Sequence, residues 1–327
     1  MGTTVIELVE RLRSEADAYK FLEELRWGDG EAECPHCGCL GASYIAPANG
    51  VSRKTRTGAM SERRVWRCLD CRRQFSVLTG TIMHGTKIPV RTWVLVIFEM
   101  ASSKNGVAAR EIERKYGLCA RTAWFLMMRI REAMADDGLT MFRGIVVADE
   151  TYIGGRFKNM HKSKRPDQKA GSEGGTAHKI PVLTLIDQDT GQARSRVLPR
   201  VTAATLRKAI AEQADLPATT LYTDGSSSYF EVGREVAAHH SVDHNADEYV
   251  RYEVGKVITS NACESFFAQL RRSLDGTHHH VSREHLPRYL SEFDFRHTTR
   301  QMTDTERMER IVGQTGGRRL TYKRVAG

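Results

Sequence analysis

The stretch Gly144–Ile153, GIVVADETYI, decides the fold of the second half of the chain. It begins with a run of mostly β-branched apolar residues, and such a run predicts a buried strand. The run ends in two acids, Asp149 and Glu150. An acid at the end of a buried strand lies at the edge of a sheet, where it can meet acids from neighbouring strands. The stretch therefore predicts an α/β domain with polar chemistry at one edge of its sheet.

The residues that follow predict more strands and helices of the same domain. The order is three strands, a helix, a strand and then helices, which is compatible with a ribonuclease-H-like fold and with other α/β domains. The predicted strands are Gly144–Ile153, Ile180–Asp187 (IPVLTLID), Ala193–Leu198 and Thr219–Asp224 (TTLYTD). The predicted helices are Thr202–Ala214, with Thr202 as its cap, then 260–274 and 283–297.

Three acids of this region are candidates for catalysis. Asp149 and Asp224 each end a predicted strand, and Glu264 lies on the helix that follows. Asn261 precedes Glu264 by one helical turn, and Arg271 follows it by two turns on the same face. Carboxylates are the ligands that Mg²⁺ prefers, and paired divalent cations serve phosphodiester cleavage well. Taken singly, Asp224 also suits a simple turn and Glu264 a surface or capping position.

Two cysteine pairs predict a zinc site. Cys34-Pro-His-Cys37 and Cys68-Leu-Asp-Cys71 repeat one spacing, and four thiolates arranged in this way can close a tetrahedral structural Zn²⁺ site. A loop must protrude between the pairs, and Asn49–Glu62 is the candidate. His36 and Cys39 lie nearby and remain alternative ligands. With four protein sulfurs the ion would have no open position for catalysis, so its role would be structural.

A helical segment after the cysteines has the proportions of a helix-turn-helix. Helices are predicted over Ala108–Tyr116 and Ala120–Ala133, with a turn at Gly117. In such a motif the start of the second helix enters the major groove of DNA, which makes Arg121 and Thr122 candidates for base contacts. A helical hairpin with a solvated basic face is the alternative. The side chains expected to face outward are Arg110, Arg114, Lys115, Arg121, Thr122, Arg129 and Arg131, and Arg129 is the third DNA-binding candidate.

Charge and hydropathy limit the protein class. The net charge of +9 favours a polyanionic partner. The most apolar stretch, Trp93–Phe98, is too short to span a membrane, and the amphipathic helix predicted over residues 3–26 does not resemble a signal peptide. We therefore expect a cytoplasmic protein. The basic segment Arg156–Lys179 and the arginine-rich tail from Arg300 are predicted to lack regular structure.

Several motifs, in order along the chain, resemble one known family. The chain is similar to the zinc-ribbon insertion-sequence transposases of the bacterial ISXO group, from about Cys34 to Tyr322. The stretches that carry the resemblance are CPHCG, WRCLDCRRQFSVLTGTIMHGTKIP, ADETYIGG, LYTDGSSSY, NACESFFAQLRRSLDGTHHHVSREHLPRYLSEFDFRH and GGRRLTY. The family has a catalytic domain with a ribonuclease-H-like fold, so the resemblance implies that fold here.

The resemblance also implies roles for the candidate residues. Asp149, Asp224 and Glu264 would be the DDE ligands of Mg²⁺ or Mn²⁺ ions. Asn261 belongs to the same motif and stays open as a direct ligand, and Arg271 holds the position of the basic partner. The histidines 278–280 follow in a turn, either as surface residues or as contacts to DNA or metal.

The function implied is that of a DNA transposase. It would bind double-stranded DNA at the terminal inverted repeats of its element, cleave the ends to free 3′-hydroxyls and join them to target DNA. Bringing two ends together implies at least a homodimer on DNA. A transposase-derived DNA-binding regulator without catalysis, and a metal-dependent nuclease, are the alternatives.

Together, these inferences predict a multidomain chain with α+β and α/β parts. The expected parts are an N-terminal helix (1–28), a zinc ribbon (29–84), a helix-turn-helix region (85–138), a ribonuclease-H-like DDE catalytic domain (142–300, with a basic loop at 156–179) and a basic C-terminal tail (301–327).

Overall fold

The computed structural model describes residues 2–28, 31–50, 52–55, 58, 60–155, 178–242, 250–253 and 256–326. The chain forms two compact units, one from Met1–Met134 with Gln301–Gly327, and the other from Ala135–Arg300. Most of the predicted basic loop, residues 156–177, lies outside the described residues. In the described part of the chain, no helix combines the length and the apolar character needed to cross a membrane.

The helices and strands follow one another along the chain. The helices are α1 (Val5–Arg11), α2 (Glu15–Trp27), α3 (Val90–Ser102), α4 (Ala109–Tyr116), α5 (Ala120–Met134), α6 (Ala203–Ala211), α7 (Phe230–Gly233), α8 (Asn261–Ser273), α9 (Leu286–Thr298), α10 (Asp304–Gly313) and α11 (Lys323–Ala326). The strands are β1 (Ala42–Tyr44), β2 (Arg53–Lys54), β3 (Met60–Ser61), β4 (Trp66–Cys68), β5 (Gln74–Phe75), β6 (Phe142–Ile153), β7 (Ile180–Asp187), β8 (Ala193–Val197), β9 (Ala214–Asp224), β10 (Ala238–Val242), β11 (Val250–Glu253) and β12 (Lys256–Thr259).

The N-terminal segment forms two helices, so the prediction of a single helix was wrong. Thr4 starts α1 and Ser14 starts α2, each with its hydroxyl accepting a hydrogen bond from a backbone N–H one turn ahead. In turn, the carboxylates of Glu7 and Asp17 accept hydrogen bonds from the backbone N–H groups of Thr4 and Ser14. A complete capping box is a strong start signal. The one before Glu15 starts a new helix and prevents α1 from continuing.

The C-terminal tail also differs from its prediction, because part of it is an ordered helix of the first unit. In α10 the side chains of Met308, Ile311 and Val312 are buried, and the helix packs against α3 and α2. Thr303 and Glu306 form a capping box at its start. The spacing of the apolar residues marks one face of a helix, but the many arginines of the tail hide this short pattern.

The second unit is built on a five-stranded mixed sheet with the order β10-β9-β6-β7-β8. Strands β6, β7 and β8 are antiparallel neighbours, whereas β6, β9 and β10 run parallel. The predicted strand Ile180–Asp187 is confirmed, Thr219–Asp224 is the end of the longer β9, and Thr202 caps α6 as predicted. The mixed α/β architecture expected for this half is therefore present.

Helices cover both faces of this sheet. Val146 and Ala148 pack with Leu206 and Ile210 of α6 in one buried cluster. Neighbouring residues of a strand point to opposite faces, so Asp149 faces the other side. There α8 and α9 pack, and the Cys263 sulfur of α8 lies 3.6 Å from the carbonyl oxygen of Val147.

Candidate metal centre and candidate active site

The four predicted cysteines form a cluster with the dimensions of a zinc site. Their sulfur atoms all lie within 4.8 Å of one another, with 3.7 Å between Cys34 and Cys71 and 3.6 Å between Cys37 and Cys68. Tetrahedral Zn²⁺ with Zn–S bonds of about 2.3 Å requires sulfurs about 3.8 Å apart. Among the described residues, these four cysteines form the group of potential metal ligands whose donor atoms all lie this close to one another. The donor set therefore fits a structural Zn²⁺ and includes neither His36 nor Cys39.

Backbone groups of the second cysteine pair favour the thiolate of Cys68. Burial opposes ionisation of Cys68, but the backbone N–H groups of Cys71 and Asp70 outweigh it, so the pKa of the Cys68 thiol is lowered. Only the thiolate is a good zinc ligand. The second cysteine pair thus carries backbone donors that prepare it for a cation.

A small core and one buried ion pair support the cluster. Strands β1, β4 and β5 form an antiparallel sheet beside it, and the Trp27 ring meets that of Trp66 edge-on with 5.6 Å between centroids. Glu23 of α2 is 7% exposed and accepts hydrogen bonds from Arg64 at 2.6 Å and from the Trp66 indole at 2.8 Å. The stretch between the cysteine pairs, where a loop was expected, contains the hairpin of β2 and β3. Because the ribbon buries so few apolar residues, its core is small. A bound metal would therefore be needed to keep the ribbon folded.

In the second unit, two of the three candidate acids lie on neighbouring strands. The last paired residues of the parallel strands β6 and β9 are Val147 and Tyr222. Asp149 and Asp224 each lie two residues further on, at the same level of the sheet. Asp224 ends β9 as predicted, but β6 continues past Asp149 to Ile153 in pairing with β7, so the prediction that Asp149 ends its strand was wrong. Asp224 also begins a turn, because its carboxylate accepts a hydrogen bond of 3.1 Å from the backbone N–H of Ser226.

The third acid comes from the helix that packs over these strands. Glu264 lies in the first turn of α8 and is exposed. The preceding residue, Cys263, is fully buried, and its sulfur contacts the carbonyl oxygens of Val147 and Thr184. Burial, with help from the charges of Asp149 and Glu264, raises the pKa of this thiol far above its ordinary value. Cys263 thus anchors the start of α8 over the part of β6 that carries Asp149.

The pKa of Asp149 responds to its burial and to the acids around it. Burial raises the pKa of this carboxyl to about 7, and the negative charges of Glu150, Asp224 and Glu264 add to the effect. Like charges held in one partly buried site resist ionisation unless a cation joins them. The donors are all carboxylate oxygens, so they fit hard ions such as Mg²⁺ or Mn²⁺. The site therefore has the chemistry expected for a divalent cation.

Sequence reasoning missed a partner of the acid beside Asp149. The buried hydroxyl of Tyr229 donates a hydrogen bond to the Glu150 carboxylate, on the sheet face opposite Asp149. Burial raises the pKa of Glu150, and the bond from Tyr229 partly offsets this. Tyr229 follows Asp224 in the stretch LYTDGSSSY. The bond therefore joins the two segments that carry Asp149 and Asp224, a pairing that only tertiary structure reveals.

The polar residues of α8 lie at the places expected from their spacing. Asn261 is the first residue of the helix and is exposed, one turn before Glu264. Arg271, two turns after Glu264, donates a hydrogen bond of 2.5 Å to the Thr151 hydroxyl of β6. A π-helical turn over Leu274–His278 follows the helix.

In the first unit, α4 and α5 are joined through Gly117 in the left-handed conformation, where the turn was predicted. Arg121 is exposed and Thr122 is half-buried, both in the first turn of α5. Arg129 and Arg131 are buried, so the expectation that they face outward was wrong. The Arg129 guanidinium lies 4.9 Å from the Trp93 ring centroid and donates to the His84 carbonyl. A long arginine stem can cover apolar surface in this way, which removes Arg129 from the candidates for DNA contact.

Comparison with known proteins gives three matches. Residues 141–298 match a family model described as ISXO2-like transposase domain, and residues 13–74 match a transposase zinc-ribbon domain. The chain is also 26% identical over 304 residues to an uncharacterized protein in transposable element ISH50 of Halobacterium salinarum. That similarity covers 91% of this chain and 96% of the relative.

The matches agree with the geometry of both sites. The zinc-ribbon match and the four-sulfur cluster together support a structural Zn²⁺. The transposase-domain match spans the mixed sheet and its acids. The chain therefore combines a match to a transposase zinc-ribbon domain with a match to an ISXO2-like transposase domain.

Proposed function

We propose that this protein is a DDE-type DNA transposase that cleaves the ends of its element and joins them to target DNA. The observation that carries the proposal is the placement of Asp149 and Asp224 at one level of neighbouring strands, under the helix that carries Glu264. Burial first, and then the charges of Glu150, Asp224 and Glu264, raise the pKa of the Asp149 carboxyl to about 7. Such a cluster is costly in a folded protein unless it serves a cation. Metal-dependent phosphodiester chemistry is its simplest use.

The three acids would hold the metal, and their neighbours would hold the DNA. When bound by Asp149, Asp224 and Glu264, Mg²⁺ or Mn²⁺ supplies activation of the attacking hydroxyl and stabilisation of the leaving oxygen. Asn261, one turn before Glu264, is placed to orient that carboxylate or to join it as a ligand. Arg271 would attract the DNA backbone on the same helix face, because phosphate contacts with basic side chains position nucleic acids.

The order of strands supports a ribonuclease-H-like catalytic domain. Three antiparallel strands, β6 to β8, continue on the other side of β6 into the parallel strands β9 and β10. In this arrangement the first strand lies at the centre, and the acids of β6 and β9 lie at the same level of the sheet. We propose that residues 142–300 form this domain and that residues 301–327 belong to the N-terminal unit, with which they cluster.

We further propose that the first unit recognises the inverted repeats. The zinc ribbon (residues 29–84) and the helices α4 and α5, acting as a helix-turn-helix within 85–138, would contact double-stranded DNA. Arg121 and Thr122 start α5, the position from which such a helix reads base edges. The net charge of +9 would add contacts to phosphates that do not depend on sequence.

The proposed reaction has two steps at each end. Water attacks a phosphodiester at the end of the element, the bond to the 3′-oxygen breaks, and a 3′-hydroxyl is freed. That hydroxyl then attacks a phosphodiester of the target, joining the strands and releasing a new 3′-hydroxyl. No covalent bond to the protein is needed. Because two ends must meet, we propose that a homodimer or larger oligomer acts at the chromosome in the cytoplasm.

Two other functions would use part of the same structure. A DNA-binding regulator would keep the first unit and use the second only as a scaffold. A nuclease would carry out the first step without the second. We favour the transposase because the acids, their basic partner Arg271 and the ribbon occur together in one chain.

An end-cleavage and strand-transfer assay tests the proposal. Labelled duplexes from the element ends would be incubated with the full chain and Mg²⁺ or Mn²⁺, beside Asp149→Asn, Glu264→Gln and the control Glu212→Gln, an exposed acid away from the cluster. Joined products with wild type and control, but not with the two active-site variants, are expected. Specific binding without cleavage in either metal would leave the regulator, and cleavage without joining would leave the nuclease.

A further inference from the structure

A cavity of about 230 Å³ opens in the second unit, where β6 ends beside the C-terminal end of α8. Its apolar part is formed by Ile153, Leu274 and Val281, each less than a tenth exposed. Tyr152, the neighbouring residue on β6, also lines the cavity. Nothing in the proposed reaction requires this apolar space.

The rim of the cavity carries a net positive charge. The cations Lys179 and Arg271 line it against one acid, Asp275, together with His279 and His280. His279 has a left-handed backbone (φ 60°), and its Nδ1 atom lies 2.9 Å from the carbonyl oxygen of Asp275. The turn that shapes the rim is therefore held by its own hydrogen bond. An apolar floor below a basic rim matches a molecule that has one flat apolar part and one anionic part.

The cavity lies close to the proposed catalytic acids. Arg271 follows Glu264 by seven residues on α8, which corresponds to about 10 Å along a helix. Tyr152 follows Asp149 by three residues on β6, which again corresponds to about 10 Å along a strand. A stacked DNA strand advances about 3.4 Å for each nucleotide. The cavity is thus within about three nucleotides of a phosphodiester held by the acids.

We propose that this cavity binds one unstacked nucleotide of the DNA strand next to the cleavage site, with its base on the apolar floor and its phosphate at the basic rim. The proposal rests on the proposed function, because the acids define which strand passes the cavity. A blunt duplex offers no such nucleotide without breaking a base pair, which costs a few kcal/mol. An unpaired strand offers it directly, and stacking of a base on an aromatic side chain contributes to its affinity.

The test compares two DNA probes on the full chain, a blunt duplex and the same duplex with a short 3′ overhang that carries 4-thiothymidine. The variants are Lys179→Ala and His280→Ala at the rim and Gly155→Leu at the mouth. Among the described residues, no atom lies within 4 Å of a Cβ atom placed at Gly155, which leaves room to introduce a side chain there. Lys208→Ala, an exposed lysine of α6 on the other face of the sheet, is the matched control.

We expect wild type and Lys208→Ala to bind the overhang probe about tenfold more tightly than the blunt duplex, in the range of one stacked base. The rim variants should reduce this ratio and Gly155→Leu should abolish it, while binding of the blunt duplex stays unchanged. Irradiation should crosslink the thiobase to the peptide that contains Tyr152 or Val281. Thermal unfolding checks that each variant is folded.

An equal affinity for both probes, or a preference that survives in all three cavity variants, would overturn the proposal. Crosslinks confined to other peptides would do the same. The assay for end cleavage, run in parallel, separates this failure from that of the proposed function. If wild type cleaves and joins DNA but shows no preference for the overhang, the nucleotide site is wrong and the transposase stands.

Discussion

The cysteine cluster and the carboxylate cluster are both candidate metal sites, but the chain builds them in different ways. The four sulfurs come from two short knuckles, and Cys34 and Cys71 are 37 residues apart. The acids come from two strands and a helix. Glu264 is brought near the strands by the contact of Cys263 with Val147, two residues that are 116 positions apart in the chain. The first site depends on local turns and the second on a whole sheet. Loss of the metal should therefore unfold the first site and leave the second folded but inactive.

The largest expected effect is that of zinc removal on the first unit. Chelation, or the substitution Cys68→Ser, should unfold the ribbon, because structural zinc contributes on the order of 10 kcal/mol to such small domains. All four tryptophans of the chain lie in this unit, so their fluorescence reports on it alone. Cys119→Ser, at an exposed cysteine outside the cluster, is the control. A ribbon that keeps its fluorescence and unfolding temperature after chelation would contradict a structural role for the metal.

The second unit should instead respond to pH. The pKa of Asp149 and that of Asp294 are both raised to about 7, first of all by burial. The folded unit therefore holds protons that the unfolded chain releases near the ordinary value of 3.8. Its free energy of unfolding should fall as the pH rises from about 4 to about 7, by on the order of 3 kcal/mol for each group.

Circular dichroism during chemical unfolding, measured across this pH range, checks the prediction. Asp294→Asn should remove the contribution of Asp294 to the decrease of stability with pH. The acid cluster should stay unchanged, because Asp294 accepts its hydrogen bonds from Ser195 on β8. Added Mg²⁺ should reduce only the share of Asp149. A stability that rises with pH across this window would contradict the prediction.

Two arginines of α5 sharpen the comparison between surface and core. Arg129→Ala should lower the free energy of unfolding of the first unit by about 2 kcal/mol, because its contact with the Trp93 ring and its bond to His84 are lost. Arg121→Ala should leave stability unchanged but weaken binding to the inverted repeat about tenfold and reduce the preference for the repeat over unrelated DNA. Denaturant titration, and fluorescence anisotropy with the repeat and with unrelated DNA, separate the two. An Arg121→Ala variant with unaltered DNA affinity would remove that residue from the proposed interface.

The smallest expected effect concerns Tyr229 and Glu150. Tyr229→Phe removes one buried hydrogen bond, worth about 1 kcal/mol in stability. Because the bond ties together the segments that carry Asp149 and Asp224, cleavage should need a few times more Mg²⁺, with little change at saturating metal. Tyr252→Phe, at an exposed tyrosine of β11, is the control. An equal loss of rate at every Mg²⁺ concentration would argue against a role in positioning the acids.

The sequence alone determined the local features of this protein. The spacing of the cysteines, the apolar run before Asp149 and the capping residue Thr202 all act over a few residues, so each could be recognised and the structure agrees with it. The helix predictions that failed concern short patterns that lie among many charged residues. The capping box at Ser14 splits the N-terminal helix, and the apolar face of α10 lies within an arginine-rich tail.

Only the tertiary structure decided which distant residues meet. It buried Arg129 against an aromatic ring, paired Tyr229 with Glu150, and formed a cavity from the ends of β6 and α8. These outcomes depend on packing between elements that are far apart in the chain. Hydrophobic burial has no direction and no sequence range, so a pattern of residues shows that a side chain will be buried but not what it will contact.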